Sequence, residues 1–115
     1  MHNISTYIVG SGDLNEHGVL FGGKTLSLLD LAGRDHIRNS LKSTGQIVTR
    51  KVTDVLFDAP INVGDKIELY ANIEHIGTSS ASVKLEVRRD SSVMITGTIV
   101  YVHIMEGKPF PIISV

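Results

Sequence analysis

The chain has 115 residues, a net charge of −1, 42% hydrophobic residues, no Trp and no Cys. This length supports one domain with one core, and the balanced charge gives no ground for general nucleic-acid affinity. The lack of Cys removes disulfides, thiolate zinc sites and a cysteine nucleophile together. The composition is that of a globular rather than a disordered chain.

The opening MHNISTYIVGSGDLNEHG has neither a basic n-region nor an apolar h-region, so no signal peptide is expected. No apolar run approaches the roughly 20 residues of a membrane span. The expectation is a soluble, cytoplasmic protein with neither nucleic acid nor membrane as partner.

In chain order, NISTYIVG (3–10) reads as a short strand and SGDLNEHG (11–18) as a loop. Leu26, Leu29, Ala32 or Gly33, and Ile37 recur at helical spacing, which predicts a helix over 22–36. STG (43–45) is a turn. QIVTRKVTDVLFDAP (46–60) is rich in β-branched residues, and KIELYANIEHIG (66–77) alternates cleanly. In the latter, Ile67, Leu69, Ala71 and Ile73 share one face and Glu68, Tyr70, Asn72 and Glu74 the other. SASVKLEVRRD (80–90) alternates again, VMITGTIVYVHIM (93–105) is a longer strand, and EGKPFPI is a turn with a proline-limited tail. Strand, helix, then four strands predicts an α+β layer, one helix packed on one antiparallel sheet over residues 1–115. The helix is apolar over more of its surface than one sheet face can cover.

NEHGVLFGGKTLSLLDLAG (15–33) carries the chemistry. Adjacent glycines at a helix start serve either close packing on the sheet or the binding of an anion or oxyanion by exposed N–H groups. Asp30 stands among Leu28, Leu29, Leu31 and Ala32, where desolvation favours a carboxylate with the character of a base. Gly23 and Asp30 are seven residues apart, hence on one helix face but on the order of 10 Å apart along it. A reacting carbonyl carbon needs its donor and its carboxylate each about 3 Å away. If both act, Asp30 comes from a second copy. A two-fold dimer with antiparallel helices makes that site twice and buries the surplus apolar helix surface.

The pattern Asn-x-x-Gly-x-x-Phe-Gly-Gly, formed by Asn15, Gly18, Phe21, Gly22 and Gly23 with the acid Asp30 seven residues on, resembles the hotdog-fold acyl-CoA thioesterases. The YciA-type acyl-CoA hydrolases are the nearest type. The similarity continues through IVTRKVTDVLFDAPINVGDKIELYANIEHIGTSSASVKLEVRR and spans roughly residues 13–104. The resemblance implies a hotdog fold, one long helix wrapped by an antiparallel sheet, and hydrolysis of acyl-CoA to a carboxylic acid and CoA at a site across a homodimer interface. It implies Asp30 as general base or nucleophile and Asn15 as the group orienting water or carbonyl. Gly22 and Gly23 would polarise the carbonyl, beside Phe21 of the same motif. Thr78, Ser79 and Ser80 match a turn that runs along the CoA moiety. CoA is then part of the substrate, no cofactor is needed, and a tetramer or hexamer is the further assembly. His17 and Val19 depart from the family pattern; His17, in the Asn15 loop, remains a substrate-contact candidate.

Five histidines, His2, His17, His36, His75 and His103, show no HxH or HExxH spacing, so no metal site is expected. His75 and His103 are expected as ordinary polar strand residues. Arg88 and Arg89 either end a solvated, exposed strand or pair with CoA phosphates; Lys84 and Arg50 are weaker versions of the second idea. Thr49, on the strand after the helix, is either an ordinary strand residue or a hydrogen-bond donor to the carboxylate. No G-x-S-x-G, P-loop or G-x-G-x-x-G occurs. Two other functions compete. A non-catalytic acyl-CoA sensor needs neither Asn15 nor Asp30, and a hotdog dehydratase wants a catalytic histidine in a proline-rich loop that this chain lacks.

Overall fold

The computed structural model describes residues 1–42 and 45–114. Its elements are β1 (His2–Ile8), α1 (Gly22–Ser40), β2 (Leu41–Lys42), β3 (Gln46–Phe57), β4 (Lys66–Ile76), β5 (Ser80–Arg89), β6 (Ser92–Met105), β7 (Lys108–Pro109) and β8 (Ile113–Ser114). The main sheet runs β1-β4-β5-β6-β3 with β7 on β6, and every pairing is antiparallel. A small second ladder joins β2 to β8. The five long strands and the helix lie where the residue pattern places them. Ser43 and Thr44 of the expected turn lie outside the described residues, and Gly45 is a bend.

The alternation in β4 and β5 fixes the register. Leu69, Val87 and Ile95 form one rung across β4, β5 and β6, and Ile73, Val83 and Ile99 form another. A slip of one residue would turn every one of these side chains to the opposite face. Leu69, Val83, Val87, Ile95 and Ile99 are all buried, each contributing roughly 1.5–3 kcal/mol for its removal from water. β5 joins β6 through Asp90-Ser91, and β6 joins β7 through Glu106-Gly107; both residues of each pair have positive φ, the backbone of tight hairpins.

The helix lays Thr25, Leu29, Ala32, Gly33, His36 and Ile37 on the sheet. The apolar stripe thus begins at Thr25, whose hydroxyl donates to the Phe21 carbonyl at 3.3 Å, and not at Leu26, which is 38% exposed. Leu31 is 52% exposed, so apolar helix surface remains uncovered in the single chain, as expected. The helix runs four residues past the expected end. The Leu41 N–H caps it on the Ile37 carbonyl, and Arg38 in its last turn favours the C-terminal dipole.

β1 and β3 are the sheet edges. This corrects the reading of Arg88 and Arg89 as the end of an exposed strand, because β5 lies inside the sheet. Edge β3 carries two register shifts, with Asp54 at φ 54 in the second, and exposes Val48, Val52, Leu56 and Phe57.

Candidate active site

The site begins with the loop between β1 and α1. The Asn15 Oδ1 accepts the N–H groups of His17 at 2.8 Å and Val19 at 3.3 Å. Its backbone N–H donates to the Val19 carbonyl at 2.8 Å. A short polar side chain that bonds its own backbone two residues on closes a turn, so Asn15 staples the loop, and its amide NH2 has no acceptor among the described residues. The Leu20 N–H donates to the Ile61 carbonyl at 2.7 Å, docking the loop on the segment after β3. At the loop's other end the Asp13 carboxylate accepts the Tyr7 hydroxyl at 2.6 Å and the Gly10 N–H at 2.9 Å. These bonds hold its pKa below the ordinary carboxylate value, and its backbone carbonyl receives the Phe21 N–H at 2.8 Å.

Between the loop, the helix start and the end of β3 lies a cavity of about 390 Å³, bounded by Asn15, Gly22, Phe57, Pro60 and Ile95 among others. No side chain caps the helix at Phe21, so the first-turn N–H groups have no partner from a capping side chain. A Cβ at Gly23 would stand 2.5 Å from the Phe21 Cε1, so a larger residue there would have to turn the Phe21 ring aside. Phe21 itself is 53% exposed.

Asp30 lies two helical turns further along α1. Its Oδ1 accepts the Thr49 hydroxyl from β3, and its Oδ2 accepts the Arg34 Nη2 at 3.0 Å. Its main-chain carbonyl accepts the buried Tyr101 hydroxyl at 2.7 Å. Burial, then the Asp30 charge, pushes that hydroxyl well above the usual tyrosine range, so Tyr101 stays a donor. The Asp30 side chain is 28% exposed. The carboxylate is therefore held from two sides yet open to solvent, while Asn15 and Gly22 border a different cavity.

A family model described as the thioesterase superfamily matches residues 17–96. The chain belongs to the thioesterase superfamily. The acyl-CoA thioester hydrolase YciA of Escherichia coli (strain K12) is 36% identical over 75 residues, 65% of this chain and 55% of its own length. The chain thus spans about half the length of the curated relatives it matches. A hexameric hotdog-fold thioesterase of Campylobacter jejuni superposes with TM-score 0.85 at 32% identity, covering 96% of this chain and 89% of that one. A hexameric thioesterase from Yersinia pestis gives TM-score 0.88 at 27% identity over 98% and 96%. An acyl-CoA hydrolase from Staphylococcus aureus, solved with butyryl coenzyme A and coenzyme A, gives 0.86 at 25% identity over 96% and 70%. The fold is the hotdog fold.

In this thioesterase-superfamily chain the expected residues fall into separate groups. Asn15, Phe21, Gly22 and Gly23 gather at the helix start. Asp30 and Thr49 pair in mid-helix. Thr78, Ser79 and Ser80 lie at the opposite end of the strands from the Asn15 cavity. There the Thr78 and Ser79 carbonyls accept the Ile112 and His103 N–H groups at 2.8 and 2.7 Å, and Ser80 opens β5 rather than lying in the turn. His17 is exposed and faces Glu16 at 3.4 Å.

The strand-end arginines are engaged within the chain. Arg88 pairs with Glu86 at 2.7 Å and stacks over Tyr70. Arg89 pairs with Asp65 at 2.7 Å and donates to the Pro60 carbonyl at 3.3 Å, bracing the rim of the Asn15 cavity. Arg50 and Lys84 are exposed.

The expectation for His103 needs correction. It is buried, and both ring nitrogens are engaged, with the Phe110 carbonyl at 3.0 Å and the Gly45 N–H at 3.2 Å. Arg34 and Tyr101 were missed. The four-residue spacing of Asp30 and Arg34 is a legible pair signal; nothing local ties Tyr101 to the helix. Among the described residues no helix is long and apolar enough to cross a membrane.

Proposed function

We propose that this protein hydrolyses acyl-CoA thioesters, at a site built from the helix start of one protomer and Asp30 of its partner. The observation that carries the reading is a carboxylate held on both oxygens by Thr49 and Arg34. It lies two turns away from the only arrangement among the described residues that pairs an amide side chain with a helix N-terminus at one cavity. One carbonyl cannot meet both groups in a single chain. A second copy, docked antiparallel along α1 and beside the free edge of β3, brings them together. It also covers Leu26 and Leu31 on the helix and Val48 and Val52 along the β3 edge, exposed apolar side chains that an interface would bury. Two of the structural neighbours are described as hexameric, an assembly that three such dimers would make.

In the reaction, the thioester oxygen accepts N–H groups at Gly22 and Gly23, and the Asn15 NH2 holds the carbonyl or the water. The partner's Asp30 takes a proton from water as the water oxygen bonds to the carbonyl carbon. The carbon–sulfur bond then breaks, and CoA leaves as a thiolate that takes up the proton. Each Asp30 oxygen already accepts one hydrogen bond, which ties down its charge for attack on carbon and leaves a lone pair for water. Thr49 and Arg34 fix the direction of that lone pair.

The test is hydrolysis of acyl-CoAs from acetyl to palmitoyl, following free thiol, with the native protein and Asp30→Asn. Turnover that falls about 100-fold or more in the variant, the scale of a lost acid–base group, supports the reading. CoA esters that bind without turnover would instead mark a sensor.

A further inference from the structure

Resting on the thioesterase reading and deepening it, we propose that the acyl group taken by this protein ends in a carboxylate, bound by Arg34 and Arg38. Asp30, Arg34 and Arg38 follow one another at four-residue spacing on α1, so they line one helix face. Beside that face opens a second cavity of about 370 Å³, bounded by Arg34, Arg38, Gln46, Ile47, Val48 and Thr49. Two of these residues, Arg34 and Thr49, are the ones that hold Asp30. The residues that line it include two arginines, Ile47 and Thr49, and no Asp or Glu. That composition suits a short methylene chain with an anionic end.

The arginines have donors to give. Arg34 gives its Nη2 to Asp30, and its Nε is buried without a hydrogen-bond partner. A buried donor without an acceptor is destabilising, and a partly exposed helix pair contributes little in return. The Arg34 side chain is 34% exposed, so the outer part of its planar guanidinium can meet an acyl carboxylate. Arg38 is exposed and has no acidic partner among the described residues.

The other anion on the substrate is a CoA phosphate. The pantetheine arm, roughly four residue lengths of chain, holds the phosphates more than ~10 Å from the thioester. Arg34 lies 3.0 Å from the carboxylate that would work on that thioester, closer than a phosphate can come. One helical turn separates Asp30 from Arg34, about 6 Å, and two turns separate it from Arg38, about 12 Å. With the Arg34 guanidinium 3.0 Å from the Asp30 carboxylate, a short dicarboxylic acyl chain of about four to six carbons can place its far end on Arg34.

The experiment compares kcat/KM for glutaryl-CoA and pentanoyl-CoA, equal in length and differing in the terminal carboxylate. The measured quantity is their ratio, so a general loss of activity in a variant cancels. The native protein is expected to favour glutaryl-CoA by about 10-fold or more, as a site built to bind a polar group rejects its apolar analogue. Arg34→Met should bring the ratio to about one, with Arg34→Lys and Arg38→Met in between; thermal melts confirm folding. The same ratio on pantetheine thioesters, which carry no phosphate, should match. Hydrolysis of pentanoyl-CoA at least as fast as glutaryl-CoA overturns the proposal while leaving the thioesterase reading intact. So does a ratio insensitive to both arginines, or an arginine effect that disappears with pantetheine thioesters, which would assign the pair to a CoA phosphate. No hydrolysis of any acyl-CoA overturns both readings.

Discussion

Gly33→Ala is the sharpest probe of how the helix sits on the sheet. On propensity alone the change stabilises a helix interior by about 1 kcal/mol. The packing opposes it. A Cβ at Gly33 would stand 2.9 Å from both Cε2 and Cζ of Tyr101, and closer still to its hydroxyl. Tyr101 is 1% exposed and cannot swing into solvent, so accommodating the methyl is overpacking, at about 1–3 kcal/mol. It also pulls the hydroxyl from the Asp30 carbonyl, a further ~0.5–1.5 kcal/mol. The net is a loss of about 1–3 kcal/mol, or roughly 4–12 °C in Tm for a chain of this size. Thermal unfolding of Gly33→Ala, Tyr101→Phe and the double variant makes the measurement. The double variant lacks the oxygen that the methyl would strike first, so its loss should fall short of the sum of the singles by about 1 kcal/mol. A Gly33→Ala protein as stable as the native one, or more stable, would refute the close approach of Tyr101 to the helix.

Three further outcomes are expected. Thr49→Val keeps the shape of the β3 side chain but removes the donor to Asp30; kcat should fall roughly 10- to 100-fold as the carboxylate loses its fixed direction, and Tm should fall by several degrees with the lost hydrogen bond. Burial lowers the pKa of His36, and His2 and the amino terminus lower it further. The unfolded chain therefore binds more protons below the ordinary histidine pKa, and stability should decline as pH falls through about 6.5. Tm measured at pH 7.5 and 5.5 should show that decline, and His36→Gln should reduce it. Arg89→Gln should remove the brace between Asp65 and Pro60 and raise KM for acyl-CoA several-fold with kcat nearly kept, as expected for a rim contact that binds ground and transition states alike.

The elements that local pattern controls were legible in the sequence. Alternation in 66–77 and 80–90 placed β4 and β5 to within a residue, because a strand buried on one face must alternate. The spacing of the Asn15 loop and Asp30 marked the two groups that the proposed site combines, and simple helix geometry placed them apart along one chain. Of the helix stripe, Leu29, Ala32, Gly33 and Ile37 are buried as read, and only the first position was one residue off, because Leu26 outranks Thr25 in hydrophobicity while the Thr25 hydroxyl is satisfied by the Phe21 carbonyl. The tail's small ladder of β2 and β8 joins residues more than 70 apart, and no local signal marks such a pairing. Tyr101 was missed for the same reason. Its contact with Gly33 and the Asp30 carbonyl exists only once β6 lies under α1. Arg88 and Arg89 were misplaced because strand order, which puts β5 inside the sheet, is not written in any one strand.

The shared site is tested most directly by complementation. Asp30→Asn and Asn15→Asp each leave the local backbone bonds in place and are each expected to lose about 100-fold or more in acyl-CoA hydrolysis. Co-expressed with distinct tags, half of the dimers are mixed. In a mixed dimer one site combines the intact Asn15 of one chain with the intact Asp30 of the other. Activity of the unselected population should then return to about a quarter of native, and purified mixed dimers to about half. Mixed dimers as inactive as either parent would place Asn15 and Asp30 of each site in the same chain, and the shared site would fall.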